Sequence, residues 1–273
     1  MDEAQSLMHP DGPSRSRWWA TIVGAALAVV LWPQSGAGQD YQDRGFYQSY
    51  TFSAPTDPTE EWLLAYGGRL YDMWWAVLFT EPPSGDHPAY PQSAGASGAE
   101  TWRCVTCHGW DYEGRNGSLS AGPLVTGIKG IDGMAGADPD AIAAIIRDDT
   151  HGFSETLIPE RALRALALFV SKGQIDSGRL IDRPTRSVKG DAGRGRKVFQ
   201  NVCAICHDYD GRAWITGDAD GNDTLGGITT ANPWRGLHKV MNGQTYADMP
   251  AMRAFDLEVV LDVLAYVQTL PRQ

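Results

Sequence analysis

The chain has no cysteine to spare, an acidic charge balance and only one long apolar run, and each shortage excludes something. All four cysteines of the 273 residues fall in two Cys-x-x-Cys pairs, so none is left for a structural disulfide. Oxidising compartments normally convert spare cysteines to disulfides, whereas here every thiol belongs to a motif with its own chemistry. Lys and Arg number 23 against 33 Asp and Glu, a formal charge of −10. That balance makes nucleic acid a poor partner and suits a basic partner protein, or a small substrate that needs no steering. The apolar run from Trp18 to Trp32 is shorter than the roughly 20 residues a membrane-crossing helix requires, and no other segment is a candidate.

That run follows Arg15-Ser16-Arg17 and precedes Ser35-Gly36-Ala37, the charge, apolar core and small-residue site of a secretory signal. Residues 1–37 are therefore expected to be a signal peptide cut after Ala37 or, if retained, a membrane anchor. Either way the protein is expected in the periplasm. With 42% hydrophobic and 21% charged residues the remainder reads as folded, and its length suits two compact units.

The cysteine pairs are Cys104-Val105-Thr106-Cys107-His108 and Cys203-Ala204-Ile205-Cys206-His207. Each is the attachment signature for c-type haem. Two thiols three residues apart on a turn of helix reach the two vinyl groups of one porphyrin edge, and the adjacent imidazole then points at the iron. A structural zinc site would need four ligands, and each motif supplies three on a tight span. A thioredoxin-like pair would not need the histidine.

With both motifs in view, the chain resembles a tandem of class I cytochrome c domains over roughly residues 60 to 273. The resemblance implies an all-α fold: two domains, each a few helices around one covalently bound haem c, two haems in all. In that family an opening helix leads into the haem motif, a middle helix follows, and a final helix crosses the first. Gly195 and Phe199 resemble the small-plus-aromatic pair of the opening helix, and Gly67 and Tyr71 repeat it upstream of Cys104. Asn232-Pro233 and Asp138-Pro139 read as capped starts of the two middle helices, the second bearing Ile142, Ile145 and Ile146. Leu257, Val260, Leu261, Leu264 and Val267 form one final stripe, and Leu163, Leu166, Ala167 and Val170 the other. The expected layout is an N-terminal extension 38–59, a first domain 60–173, a linker 174–190 and a second domain 191–273. The first domain contains an inserted Pro-rich loop, 81–99, of a length that usually serves a function or a partner. Trp62, Trp74 and Trp75 read as core.

In the family the sixth iron ligand sits just before the final helix, and there Met249-Pro250 is the candidate, with Met252 and Met241 as competitors. Met249 lies 17 residues before Tyr266, and His151 lies 18 before Phe169. His151 is thus the candidate for the first haem, Met134 its rival, and an open iron the remaining option. A bis-histidine haem would have the lower potential, since methionine raises it. The family satisfies the proximal imidazole with a proline carbonyl, which points to Pro123; the second half offers Leu225-Gly226-Gly227 without a proline. His87 reads as solvated, and His238 as surface or haem-edge packing.

The resemblance implies an electron carrier working between a dehydrogenase or cytochrome and an acceptor such as a terminal oxidase. No catalytic residue is assigned. The alternative is a dihaem enzyme of peroxidase or thiosulfate dehydrogenase type, with an iron at the first site that opens.

Overall fold

The computed structural model describes residues 55–213 and 224–273. The signal or anchor, 1–37, and most of the expected extension, 38–59, lie outside the described residues. Those described are helical, with two isolated β-bridges, Gly114 to Lys129 and Ile181 to Val188, and no named strand among them. No described helix is long and apolar enough to cross a membrane.

Helix α1 spans Glu60–Leu78. The Thr59 hydroxyl caps it by accepting from the Trp62 N–H, and Glu60 and Glu61 favour the positive end of its dipole. It ends at Phe79 in the left-handed region, and Pro82 and Pro83 cannot resume it. Next come α2 (Cys104–His108), α3 (Pro139–Ile146) and α4 (Glu160–Leu168), the last running on through a wider turn, Phe169–Gly173. The later part contains α5 (Ala192–Val198) with a similar continuation Phe199–Cys203, then α6 (Ala204–His207) and α7 (Leu225–Ala231). Last are α8 (Pro233–Asn242) and α9 (Leu257–Val267). Asp138 and Asn232 cap α3 and α8 as their Asx-Pro sequences promise, accepting from the N–H groups of Asp140 and Arg235.

One helix crossing occurs twice. A Cβ on Gly67 of α1 would lie 2.2 Å from the Ala165 carbonyl oxygen of α4, and one on Gly195 of α5 would lie 1.8 Å from that of Asp262 in α9. Four residues on, Tyr71 packs against Phe169 and Phe199 against Tyr266, with centroids 5.6 and 5.4 Å apart. Glycine lets the backbones touch, and the aromatic ring one turn later fills the space that opens as the axes diverge. Trp74 and Trp75 are buried as expected, while Trp62 is half-buried and stacks on Tyr66.

The two halves are fused. The segment 174–190, expected as a linker, is built into the body: Ile181 and Val188 join the later core, and Arg183 pairs with Asp111 (2.7 Å) and Glu113 (2.6 Å) beside the Trp234 ring. Helix α1 packs directly on α8, where Gly68 meets the Asn242 side chain and Arg69 donates to the Asn242 carbonyl at 3.0 Å. His238 of α8 is no surface group. Its Nε2 bonds the Gly68 carbonyl at 2.9 Å and its Nδ1 the Tyr112 hydroxyl at 2.8 Å, and burial pushes its pKa down to about 3.

Candidate functional site

Cys104 and Cys107 sit one turn apart on α2, held against α1 by three contacts. The Tyr71 hydroxyl donates to the Gly109 carbonyl at 2.7 Å, and the Trp74 indole to that of Trp102 at 3.1 Å. Arg103, immediately before Cys104, donates through Nε to the Asp72 carbonyl, which is available because α1 leaves helical geometry at Met73. Arg103 and Lys239 both reach the Asp72 carboxylate. Burial pushes that acid up, but the Lys239 and Arg103 cations outweigh it and hold Asp72 below the ordinary carboxylate range.

Beside α2 lies a cavity of about 500 Å³, within the roughly 300–1,000 Å³ usual for cofactor sites. Cys104, Cys107 and His108 line one side; Ile142, Ile146, Phe153, Leu166 and Val170 make its walls apolar. Met134 and His151 line it too. Burial pushes the Cys104 thiol up to about 12 and the Cys107 thiol up to about 11. Thiols activated for disulfide exchange carry the opposite shift. Among the described residues no three His, Cys, Asp or Glu side chains converge as a metal cluster.

The His108 ring donates from Nδ1 to the Lys129 carbonyl at 2.8 Å. Burial holds its pKa below the usual imidazole range, so Nε2 keeps its lone pair for a metal. The acceptor is therefore not Pro123. That residue's carbonyl takes the Gly95 N–H instead at 2.9 Å, and the bridge between Gly114 and Lys129 brings Lys129 to the imidazole.

His151 faces His108 with ring centroids 6.3 Å apart and planes within 27° of parallel. Rings at that separation could hold one metal between them, each through its free nitrogen. The Nδ1 of His151 bonds the Asp148 carboxylate at 3.0 Å, and that carboxylate also accepts the N–H groups of Thr150 and His151, each at 2.9 Å. These bonds, the His151 N–H first, hold the Asp148 acid below its ordinary range. Each ring thus has one nitrogen tied to protein and the other available, the usual arrangement for metal-bound histidines. Thiols, imidazoles and apolar walls together fit a covalently attached porphyrin.

His87 is not solvated. It is 8% exposed, lines the same cavity and bonds the His151 carbonyl through Nε2 at 2.9 Å. A histidine between Asp86 and Pro88 in a Pro-rich loop carries no periodicity, so nothing local reveals its burial. The Lys129 carbonyl is equally silent in sequence.

The later motif is more open. Cys203 and His207 are half-buried, Cys206 is exposed, and Ile205 is 83% exposed. Burial pushes the Cys203 thiol up to about 11 and lowers the His207 imidazole. Of the three methionines considered there, Met252 and Met241 are buried in the core with Trp234, Leu237 and Val260, and Met249 is half-buried outside it. The loop between α8 and α9 is pinned by Arg253, which donates to Asn242 Oδ1 (2.8 Å) and the Gly173 carbonyl (2.6 Å) and lies over the Phe169 ring. Leu225-Gly226-Gly227 forms the first turn of α7, with Gly226 close against the carbonyls of Leu270 and Pro271.

Residues 190–267 match the family model described as cytochrome c oxidase, cbb3-type, subunit III. A "Cytochrome c-553-like" protein of Synechocystis sp. is 34% identical over 87 residues, which is 31% of this chain and 73% of that relative. The chain belongs to the cytochrome c family, whose haem is bound covalently.

Proposed function

We propose that this member of the cytochrome c family is an exported electron carrier with two covalent haems. One would be attached through Cys104 and Cys107 and held by His108 and His151, the other attached through Cys203 and Cys206 and held by His207 and Met249. A haem supplies one-electron chemistry when bound, and the protein sets its orientation, burial and potential.

The observation that carries the reading is the 6.3 Å separation of the His108 and His151 rings. Were His108 and His151 both to hold one iron, no position would be left for substrate, which favours a carrier over a peroxidase or thiosulfate-oxidising enzyme. The twice-made glycine crossing supports a tandem, because the same opening-to-final helix contact stands beside each motif. The burial of Met252 and Met241 in the core supports Met249 as the later ligand.

Methionine ligation raises the potential relative to a second histidine. With His108 and His151 holding the first haem and His207 and Met249 the second, electrons would run downhill from the first to the second and leave to an oxidising partner. The name of the matching family model supports a terminal oxidase as that partner. The Trp18–Trp32 run supports export to the periplasm, with membrane attachment through it if it is retained.

The test is the exported protein itself. Intact mass and haem content should give two acid-resistant haems per chain, and one after Cys104→Ala with Cys107→Ala. EPR and near-infrared spectra should resolve one bis-histidine and one histidine–methionine iron, the second lost in Met249→Leu. A single haem per chain, or a high-spin first iron, would end this reading.

A further inference from the structure

We propose that the 81–99 loop is a latch over the far side of the first site, with His87 as a positioning residue for His151. The inference rests on the proposed ligation of His151. It goes beyond that reading by assigning a role to the loop and to a histidine outside the proposed ligand set.

The loop is fastened at four points. The Asp86 carboxylate accepts the Gly98 N–H at 2.5 Å, and the Thr101 hydroxyl accepts the His87 N–H at 2.7 Å. The Gly85 carbonyl accepts the Trp102 indole N–H at 3.1 Å, and the Gly95 N–H donates to Pro123 at 2.9 Å. These bonds bring the His87 ring edge-on to Trp102, with centroids 4.5 Å apart, and 5.7 Å from Phe153 in the cavity wall.

The ring's hydrogen bonds fix its tautomer. The Ala89 N–H donates to Nδ1 at 3.1 Å, so the proton resides on Nε2 and is donated to the His151 carbonyl at 2.9 Å. His151 is therefore held from two sides: its ring nitrogen by Asp148 and its backbone by His87. Ala89 itself lines the cavity beside His87. A loop with only a packing role would need no buried imidazole with both nitrogens engaged, since an apolar side chain fills such a space without the cost of desolvating polar atoms.

Three variants separate donor from packing. His87→Phe keeps an aromatic ring against Trp102 and Phe153 but cannot donate. His87→Asn is polar but too short to reach the carbonyl, and reads the same loss if the phenylalanine protein does not accumulate. His87→Gln restores an N–H at similar reach.

In the holoprotein, amide exchange over residues 150–153 should rise about tenfold in the Phe and Asn variants and return towards wild type in the Gln variant. The same two variants should show a high-spin fraction by EPR and bind carbon monoxide at one reduced haem, while haem content stays unchanged. Exchange and spectra identical to wild type in both loss variants would overturn the proposal. If wild-type spectra show no bis-histidine iron, it is the ligation reading that fails, and the exchange data still report whether His87 holds the His151 segment.

Discussion

The Asp148 carboxylate and the Nδ1 of His151 are 3.0 Å apart, so this imidazole leans on an anion while His108 leans on the neutral Lys129 carbonyl. A carboxylate partner makes a ligating imidazole more basic and favours the oxidised iron. Asp148→Asn keeps an acceptor but removes the charge. The potential of the first haem should rise, and only modestly, because the carboxylate is exposed and its charge is screened by solvent. Redox titration resolving the two haems measures this, and an unchanged potential would count against His151 as ligand.

Gly195 and Gly67 should tolerate no side chain. Their Cβ atoms would lie 1.8 and 2.2 Å from backbone oxygens, which cannot swing aside as a flexible side chain does. Gly195→Ala and Gly67→Ala are each expected to cost about 3 kcal/mol or more by forcing the crossed helices apart. Gly133→Ala is the control, since nothing lies within 4 Å of its Cβ. Denaturant midpoints read all three.

Asp208 is expected to be a site of gain. It follows His207 with φ 59° and ψ 164°, while Gly109 follows His108 with φ 81° and ψ 160°. Non-glycine residues pay roughly 1–3 kcal/mol in that region. Asp208→Gly should stabilise the protein by about 1 kcal/mol, after the extra chain entropy glycine loses on folding, and raise the thermal midpoint by a few degrees.

His238 imposes an acid limit. Its folded pKa, about 3, lies below the ordinary 6.5, so the unfolded chain binds a proton that the folded one refuses. Its contribution is fully present above pH 6.5 and is lost as the pH falls towards 3. His238→Gln should flatten stability against pH in that window by about 1.4 kcal/mol per pH unit, one proton's worth. An unaltered slope in denaturant titrations across the window would refute the assignment.

Much of this structure is legible because its signals are local. Asn232-Pro233 and Asp138-Pro139 announce α8 and α3, and the stripe from Val260 to Val267 announces α9. The glycine-aromatic pairs carry the crossings, since only glycine permits backbones that close. What sequence conceals is set by long-range folding of irregular chain. Lys129 replaces Pro123 as acceptor because any residue's carbonyl can serve, and only the path of the loop decides which one arrives. His87 and His238 look ordinary in sequence because their partners lie 64 and 170 residues away. The segment 174–190 reads as linker, yet Ile181 and Val188 are enough to root it in the core.

Arg253 ties the two halves together. It belongs to the later half, yet its guanidinium reaches Gly173 and Phe169 of the earlier one as well as Asn242 of its own. Residues 191–273, excised or transplanted as a cassette, would keep the grip of Arg253 on Asn242 but lose the far anchor of the α8–α9 loop on Gly173 and Phe169. Such a fragment should not inherit the redox behaviour of the parent, and minimal versions of this protein should be cut outside both halves.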